Sequence, residues 1–474
     1  MDKNLAELTI TEAARMLRAK ECTVRALWDA CHAAALEKNA ALNAYLEIFD
    51  ADDVAIDAAQ ARIDAEGEKA PLLCGVPLAL KDNILIEGKI ASAASKMLQE
   101  YRAAYDATVT KKLRAAGALF LGRTNMDEFA LGGSTENSAF GPTKNPHDLV
   151  RVAGGTSGGS AAAVAASLAI ASLGSDTGGS VRNPASYCGV VGFKPTYGSI
   201  SRSGLIAAAS SFDQIGPITK SVADAKILFD AIKGPDILDS STSPDGIFPE
   251  ANAEVKTIGV PRSLLESGLD PDVVQAFNAA LEKTGCKIVD IEIPSNKPAL
   301  AAYYIINFAE VSANLARLDG VRYGHAARGK DLLEDYILSR TEGFGPETKR
   351  RILLGTFVLS AGYIDAYYRK AVSARSALIR EFDEAFKTVD VIATPTMPTP
   401  AFKLGEKSDP LSLYLEDVFT VTANLTGMPA ISVPMGTVER EGKQLPIGIQ
   451  FTAPRGADAR MFTIGANITG EQLY

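Results

Sequence analysis

The sequence predicts an α/β protein in which helices and short apolar strands alternate and pack in layers. Three observations predict it. Helical stretches lead through glycine or proline into short apolar runs: "DATVTKKLRAAGALFLG" (106–122) reads as helix, glycine, strand, and "VKTIGVPRS", "DVVQAFNAALEKTGCKIVDIEI" and "TVDVIATPT" continue the alternation. The composition, 47% apolar and 22% charged, is that of an ordinary globular chain. At 474 residues the chain is long enough to bury a large core.

Taken in order, residues 11–37 read as one helix, with Leu17, Val24, Leu27, Trp28 and Cys31 among its apolar positions and Trp28 in the core. "LNAYLEIF" (42–49) reads as a strand, and "DADDVAIDAAQARIDAEG" as a helix whose acidic first turn suits the helix dipole. "GVPLALKDN" (75–83) is a buried strand running into Lys81 and two polar residues. "GGTSGGSAAAVAASLAIASLGSDTGGSVRN" (154–183) holds two glycine-rich turns, each with hydroxyl residues, and the small-residue run Ser160–Leu173 between them reads as a closely packing helix. "GPDILDSSTSPDG" (234–246) is a surface loop or linker. The stretch 300–385 is helix-rich and reads as a helical subdomain leaning on the sheet.

The totals exclude several functions. No stretch of about 18 uncharged apolar residues exists, so no membrane span is predicted. "MDKNLAELTI" lacks a hydrophobic signal core, which argues against secretion. Five scattered cysteines without CxxC read as reduced cytosolic thiols, and three histidines are too few to favour a zinc site. The net charge of −9 offers no visible basic face for a phosphate backbone, so any nucleic acid is expected to be held by another polypeptide.

The glycine turns admit three readings. A phosphate cradle would end in Gly-Lys-Ser/Thr, whereas this turn ends Gly159-Ser160-Ala161. A nucleophile elbow matches "GTSGG" with Ser157 at its centre, but that motif follows a strand, and "KNPHDLVRVAG" is polar and broken by proline. The third reading dispenses with histidine. A hydroxyl needs a base, and a lysine serves if burial keeps it neutral. Lys81, at the end of an apolar strand, is the candidate, with a second hydroxyl relaying the proton.

Lys81 in "LKDN", "GGTSGGSAAAVA" and "GSDTGGSVRNPASYCGVVGFKPTYG" resemble the amidase signature family. "GRTNMDEFALGGSTENSAFGPTKNP", "SSFDQIGPITKSVADA", "LARLDGVRYG" and "SRTEGFGPETKRRILLGTFVLSAGYIDAYY" are similar to the glutaminase subunits of aspartyl/glutamyl-tRNA amidotransferases within it. The resemblance covers about residues 8–455. It implies an amidase-signature fold: one domain over 1–474, with a large mixed central β-sheet covered by helices on both faces. Its parts would be an N-terminal helical segment (about 1–70), a core (about 71–235) and the helix-rich part (about 300–385).

The resemblance implies a triad of Ser180 as nucleophile, Lys81 as base and a bridging hydroxyl on Thr156, after a cis peptide bond. It places the oxyanion hole on the backbone N–H groups of Thr177, Gly178 and Gly179; one such donor is worth roughly 3 kcal/mol in rate. Arg351 and Asp417 would hold the α-carboxylate and α-amino groups of glutamine, with Tyr303 nearby. It implies no cofactor in this chain. ATP and Mg²⁺ would belong to the B subunit of the amidotransferase, which activates misacylated tRNA and receives ammonia. A small C subunit would clamp the pair, and the complex would work in the cytoplasm. Thr156 stands where the family has serine, Ala153 where it has proline, Asn183 where it has glutamine and Ser199 where it has arginine, and "GEQLY" ends the sequence without the family's usual final helix. These departures keep two alternatives in view: a stand-alone amidase acting on small amides, and a scaffold without catalysis.

Overall fold

The computed structural model describes residues 4–242, 253–266 and 268–473. Eleven strands of these residues form one mixed sheet. In spatial order they are Tyr45–Ile48, Leu119–Thr124, Pro77–Lys81, Ala171–Asp176, Gln214–Thr219, Val191–Lys194, Ala430–Arg440, Lys443–Thr452, Val391–Pro395, Thr257–Val260 and Lys287–Asp290. Pairing is parallel around Pro77–Lys81 and at the far edge, and antiparallel through the centre. Helices cover both faces, and no helix among the described residues is long and apolar enough to cross a membrane.

Local chemistry revises several boundaries. The helix predicted over 11–37 is two, Ile10–Arg18 and Val24–Leu42. Lys20 turns left-handed between them (φ 58°), and Thr9 and Thr23 each cap a new start by accepting from a backbone N–H. Asn43 ends the second helix in the αL region, which shortens the next strand to Tyr45–Ile48. Trp28 is buried, as its sequence context predicts.

The small-residue run is not one helix. It folds as a helix, Gly158–Ala165, a turn through Ser167 (φ 57°), and the strand Ala171–Asp176. The serines are the reason this packing closes. Ser160 Oγ donates to Leu173 O and Ser172 Oγ donates to Ser160 O, each at 3.1 Å, so helix and strand are stitched by their own side chains. Because Pro77–Lys81 and Ala171–Asp176 are parallel neighbours, Lys81 and Ser175 emerge at the same edge of the sheet.

The helix-rich stretch contains Asn296–Asn314, Leu332–Gly343, Pro346–Leu359 and Arg369–Ala385. A second apolar cluster, including Tyr303, Tyr304, Ile306, Leu378 and Phe382, sits beneath them. In the predicted loop 234–246, residues 243–246 lie outside the described residues. The described part is tied down by Arg202, paired with Asp239 at 3.0 Å.

Candidate active site

Lys81 ends its strand inside the protein and is fully buried (0% exposed). Its Nζ lies 2.7 Å from Thr156 Oγ1, 2.9 Å from Ser175 Oγ and 3.3 Å from Ser175 O. All three partners are neutral oxygens. Burial lowers the lysine to about 7, against the pull of the Asp127, Asp176 and Asp213 carboxylates. An amine in this setting is uncharged in a large share of molecules at neutral pH and can accept a proton.

Thr156 is also fully buried, and the Gly155–Thr156 peptide is cis. Its loop is held at each residue. Thr135 Oγ1 donates to Gly154 O (2.7 Å), the Gly155 N–H donates to Asn183 Oδ1 (3.3 Å), and the Asp127 N–H donates to Thr156 O (3.3 Å). Asn183 therefore does structural work where the resembling family has glutamine. Ala153 is buried, and Ser199 bonds to Thr196 O within its own turn.

Ser180 stands on the facing turn, 7% exposed, and its carbonyl accepts from the Ser157 N–H at 3.1 Å. Its hydroxyl forms no hydrogen bond with any described residue, Thr156 included. Lys81 and Thr156 are thus joined by a hydrogen bond, and the Ser180 hydroxyl is bonded to neither. Catalytic hydrogen bonds of unliganded enzymes are often long and tighten with substrate.

The turn before Ser180 is built on Asp176. Its carboxylate accepts from Gly179 N (2.9 Å) and Val181 N (3.1 Å) and pairs with the buried Arg182 at 2.9 Å. Burial alone would raise this acid; Arg182 outweighs it and holds the acid at about 2. The Gly179 N–H, predicted at the oxyanion, is therefore committed to Asp176, whereas those of Thr177 and Gly178 have no acceptor among the described residues. Nothing in the sequence hints at this division, since all three share one glycine turn.

Arg351 is buried on the helix Pro346–Leu359. Its Nε donates to Glu347 Oε1 at 2.7 Å and an Nη to Asn307 Oδ1 at 3.3 Å, while its guanidinium faces the rings of Tyr304, Phe308 and Tyr414 at 5.3–5.9 Å. Burial opposes its charge, but Glu347 overcomes this and keeps the pKa above its usual value. Asp417 accepts from Tyr304 OH at 2.6 Å, and burial raises it to about 7.

Both binding candidates lead to Gly178 through short chains of contacts, two residues from Arg351 and one from Asp417. Asn307 touches Arg351 and donates to Tyr303 OH (3.4 Å), and a β-carbon on Gly178 would lie 2.3 Å from that hydroxyl oxygen. From the other side, Thr420 Oγ1 donates to Gly178 O at 2.6 Å and to Asp417 O at 3.2 Å. Glycine is required at 178 because the tyrosine occupies the space of any side chain.

The rival readings lose support. A short strand, Asp148–Val152, does precede the first turn, contrary to expectation, but it belongs to a separate two-stranded ribbon, and Ser157 Oγ donates to Ser175 O. The three histidines are engaged elsewhere: His32 stacks on Trp28, His147 bonds to Cys188 O, and His325 pairs with Glu342.

The chain as a whole has known relatives. The model of the Amidase family matches residues 26–462. The chain belongs to the amidase family. It is accordingly an enzyme of the amide-hydrolysing kind. It is 49% identical over 478 residues to the A subunit of glutamyl-tRNA(Gln) amidotransferase from Koribacter versatilis, covering 98% of each chain. It is 54% identical over 392 residues to the protein of the same name from Thermodesulfovibrio yellowstonii, covering 81% of this chain and 80% of that one. The crystal structure of the same amidotransferase component from Thermotoga maritima superposes with a TM-score of 0.79 at 40% identity, over 100% of this chain and 97% of that one. The native peptide amidase of Stenotrophomonas maltophilia superposes with a TM-score of 0.80 at 27% identity, over 98% and 97%.

Sequence reasoning missed Ser175, Asp127, Asp176, Glu347 and Tyr304. The first and third lie within "GSDTGGS", where a polar pair at a strand end was the available signal. Glu347 stands four residues before Arg351, the spacing of a helical ion pair.

Proposed function

We propose that this chain is the glutaminase subunit of a tRNA-dependent amidotransferase. It hydrolyses the side-chain amide of glutamine and hands ammonia to a partner subunit, which uses ATP and Mg²⁺ to convert Glu-tRNA(Gln) or Asp-tRNA(Asn) to the amidated forms. A third, small polypeptide completes this cytoplasmic complex. The observation that carries the chemistry is Lys81 Nζ at 2.7 Å from Thr156 Oγ1, with both groups fully buried. The names of the relatives above support the substrate and the partners. So does the presence of both a buried cation, Arg351, and a buried carboxyl group, Asp417, because a free α-amino acid presents one group for each.

In this reading Ser180 Oγ attacks the amide carbon. Its proton passes to Thr156 Oγ1 as Thr156 passes its own to Lys81 Nζ. The N–H groups of Thr177 and Gly178 receive the oxyanion. Lys81 returns the proton through Thr156 to the leaving nitrogen, the C–N bond breaks, and ammonia departs. Water then cleaves the γ-glutamyl ester, its proton following the same relay, and glutamate leaves with Ser180 restored. Threonine keeps the hydroxyl of the usual serine, and its methyl stiffens χ1.

The test is glutaminase turnover with and without the partner subunits, alongside butyramide, which lacks both α-groups. Preference for glutamine, increased by the partners, and a covalent adduct on Ser180 with an electrophilic glutamine analogue are expected. Brisk butyramide hydrolysis by the chain alone, exceeding that of glutamine, would instead identify a stand-alone amidase. Absence of any adduct would leave a scaffold.

A further inference from the structure

The sheet edge that carries Lys81 continues in a neighbouring strand, Leu119–Thr124, and then into a turn holding two consecutive buried acids, Asp127 and Glu128. They face different parts of the site. Asp127 Oδ2 accepts from Thr135 N (2.8 Å) and Oδ1 from Asn137 N (3.1 Å), and a β-carbon on Gly155 would lie 2.3 Å from Oδ2. Its own N–H donates to Thr156 O at 3.3 Å, so the carboxylate packs against Gly155 and fixes the Thr135 segment while the backbone holds Thr156. Glu128 points the other way. Its Oε2 accepts from Gly345 N (2.8 Å) and Thr348 Oγ1 (2.5 Å), and its Oε1 from Ser95 Oγ (2.6 Å). Gly345 and Thr348 bound the first turn of the helix Pro346–Leu359, which carries Arg351 one turn later.

We propose that Asp127 and Glu128 are positioning residues that join the two halves of the site. Asp127 sets the relay hydroxyl of Thr156 and so governs turnover. Glu128 sets the helix of Arg351 and so governs affinity for a substrate carboxylate. This rests on the reading of the site as a glutaminase. The two acids touch no reacting atom; each acts through a backbone it holds. Asp127 also acts on Lys81 through charge, together with Asp176 and Asp213, the other acids that face the lysine.

The division predicts different kinetic signatures. All three donors to Glu128 need an acceptor, and a glutamine there turns one end of its amide into a donor. In the assembled complex, Glu128→Gln is expected to raise KM for glutamine about tenfold with kcat held within about twofold, because hydrogen bonds to a charged group are lost at the helix. Its kcat/KM for butyramide is expected to stay unchanged. Thr348→Val cuts one tie while keeping the carboxylate, and is expected to shift KM in the same direction by a smaller factor. Asp127→Asn is expected to lower kcat about tenfold on both amides and to move the acid limb of the pH–rate profile to lower pH: burial raises Asp127 to about 7, so it ionises over the same range as Lys81, and the variant removes the anionic form that helps the lysine keep its proton.

Equal losses on both substrates in Glu128→Gln, or none, would overturn the Glu128 half. An unchanged kcat and an unmoved limb in Asp127→Asn would overturn the Asp127 half. If the wild-type complex hydrolyses butyramide but not glutamine, the glutaminase reading fails and the Glu128 half fails with it, while Asp127→Asn on butyramide still decides the other half.

Discussion

Two buried cations define the two regions of this site, and the protein treats them in opposite ways. Lys81, at the end of a sheet strand, is given only neutral oxygens to bond, Thr156 and Ser175, and burial pulls it to about 7. Arg351, on a helix, is given a carboxylate at 2.7 Å and three aromatic faces, and stays charged. Desolvation acts on both. What differs is whether an anion sits in contact to oppose it. The contrast matches the work expected of each: a base must shed its proton, and a carboxylate receptor must never do so.

Exchanging the two chemistries breaks this contrast most severely. Lys81→Arg places a group that cannot deprotonate where a base is needed. Turnover on glutamine is expected to fall about 10⁴-fold, comparable to the loss of a triad member, as measured by ammonia release. Arg351→Lys keeps the charge but gives up the planar fork. It is expected to raise KM for glutamine about 100-fold while sparing butyramide, which separates recognition from chemistry. Glu347→Gln removes the anion that fixes Arg351, and a KM rise of about tenfold at nearly constant kcat is expected.

The smallest effect belongs to Thr156→Ser. A strained χ1 costs of order 1 kcal/mol, so removing the methyl is expected to raise turnover less than tenfold or leave it unchanged. A large drop would show that the bridge lies at another hydroxyl; Ser175, also on Lys81 Nζ, is the available one.

Much of this is legible in the sequence, for physical reasons. Lys81 is readable because an apolar strand running into a lysine favours an amine inside the protein over one at the surface, though only modestly. Ser180 and Thr156 stand out because they sit in glycine turns rich in hydroxyls, and the family resemblance supplies their roles. The strand–helix alternation follows from hydrophobic spacing. What escapes is whatever depends on tertiary partners. The small-residue run reads as one helix, since Ala and Ser at positions 160–173 carry no strong period; the stitching by Ser160 and Ser172 exists only once helix and strand meet. The fate of the Gly179 N–H depends on Asp176 folding back on its own turn. Glu347 and Asp127 look like surface acids until the helix and the glycine loop are in place.

In the proposed chemistry a lysine, uncharged near neutrality, is the base. This is tested most directly by the pH dependence of kcat/KM for butyramide in the assembled complex, because that substrate does not engage Asp417, which also titrates near 7. Activity is expected to rise with pH through a limb near 7, as Lys81 loses its proton, and to level off above it; Asp127, which burial also raises to about 7, titrates together with the lysine, and Asp127→Asn leaves the limb of the lysine alone. A profile flat from about pH 5 to 9, or one rising only near the ordinary lysine value of about 10.4, would contradict it.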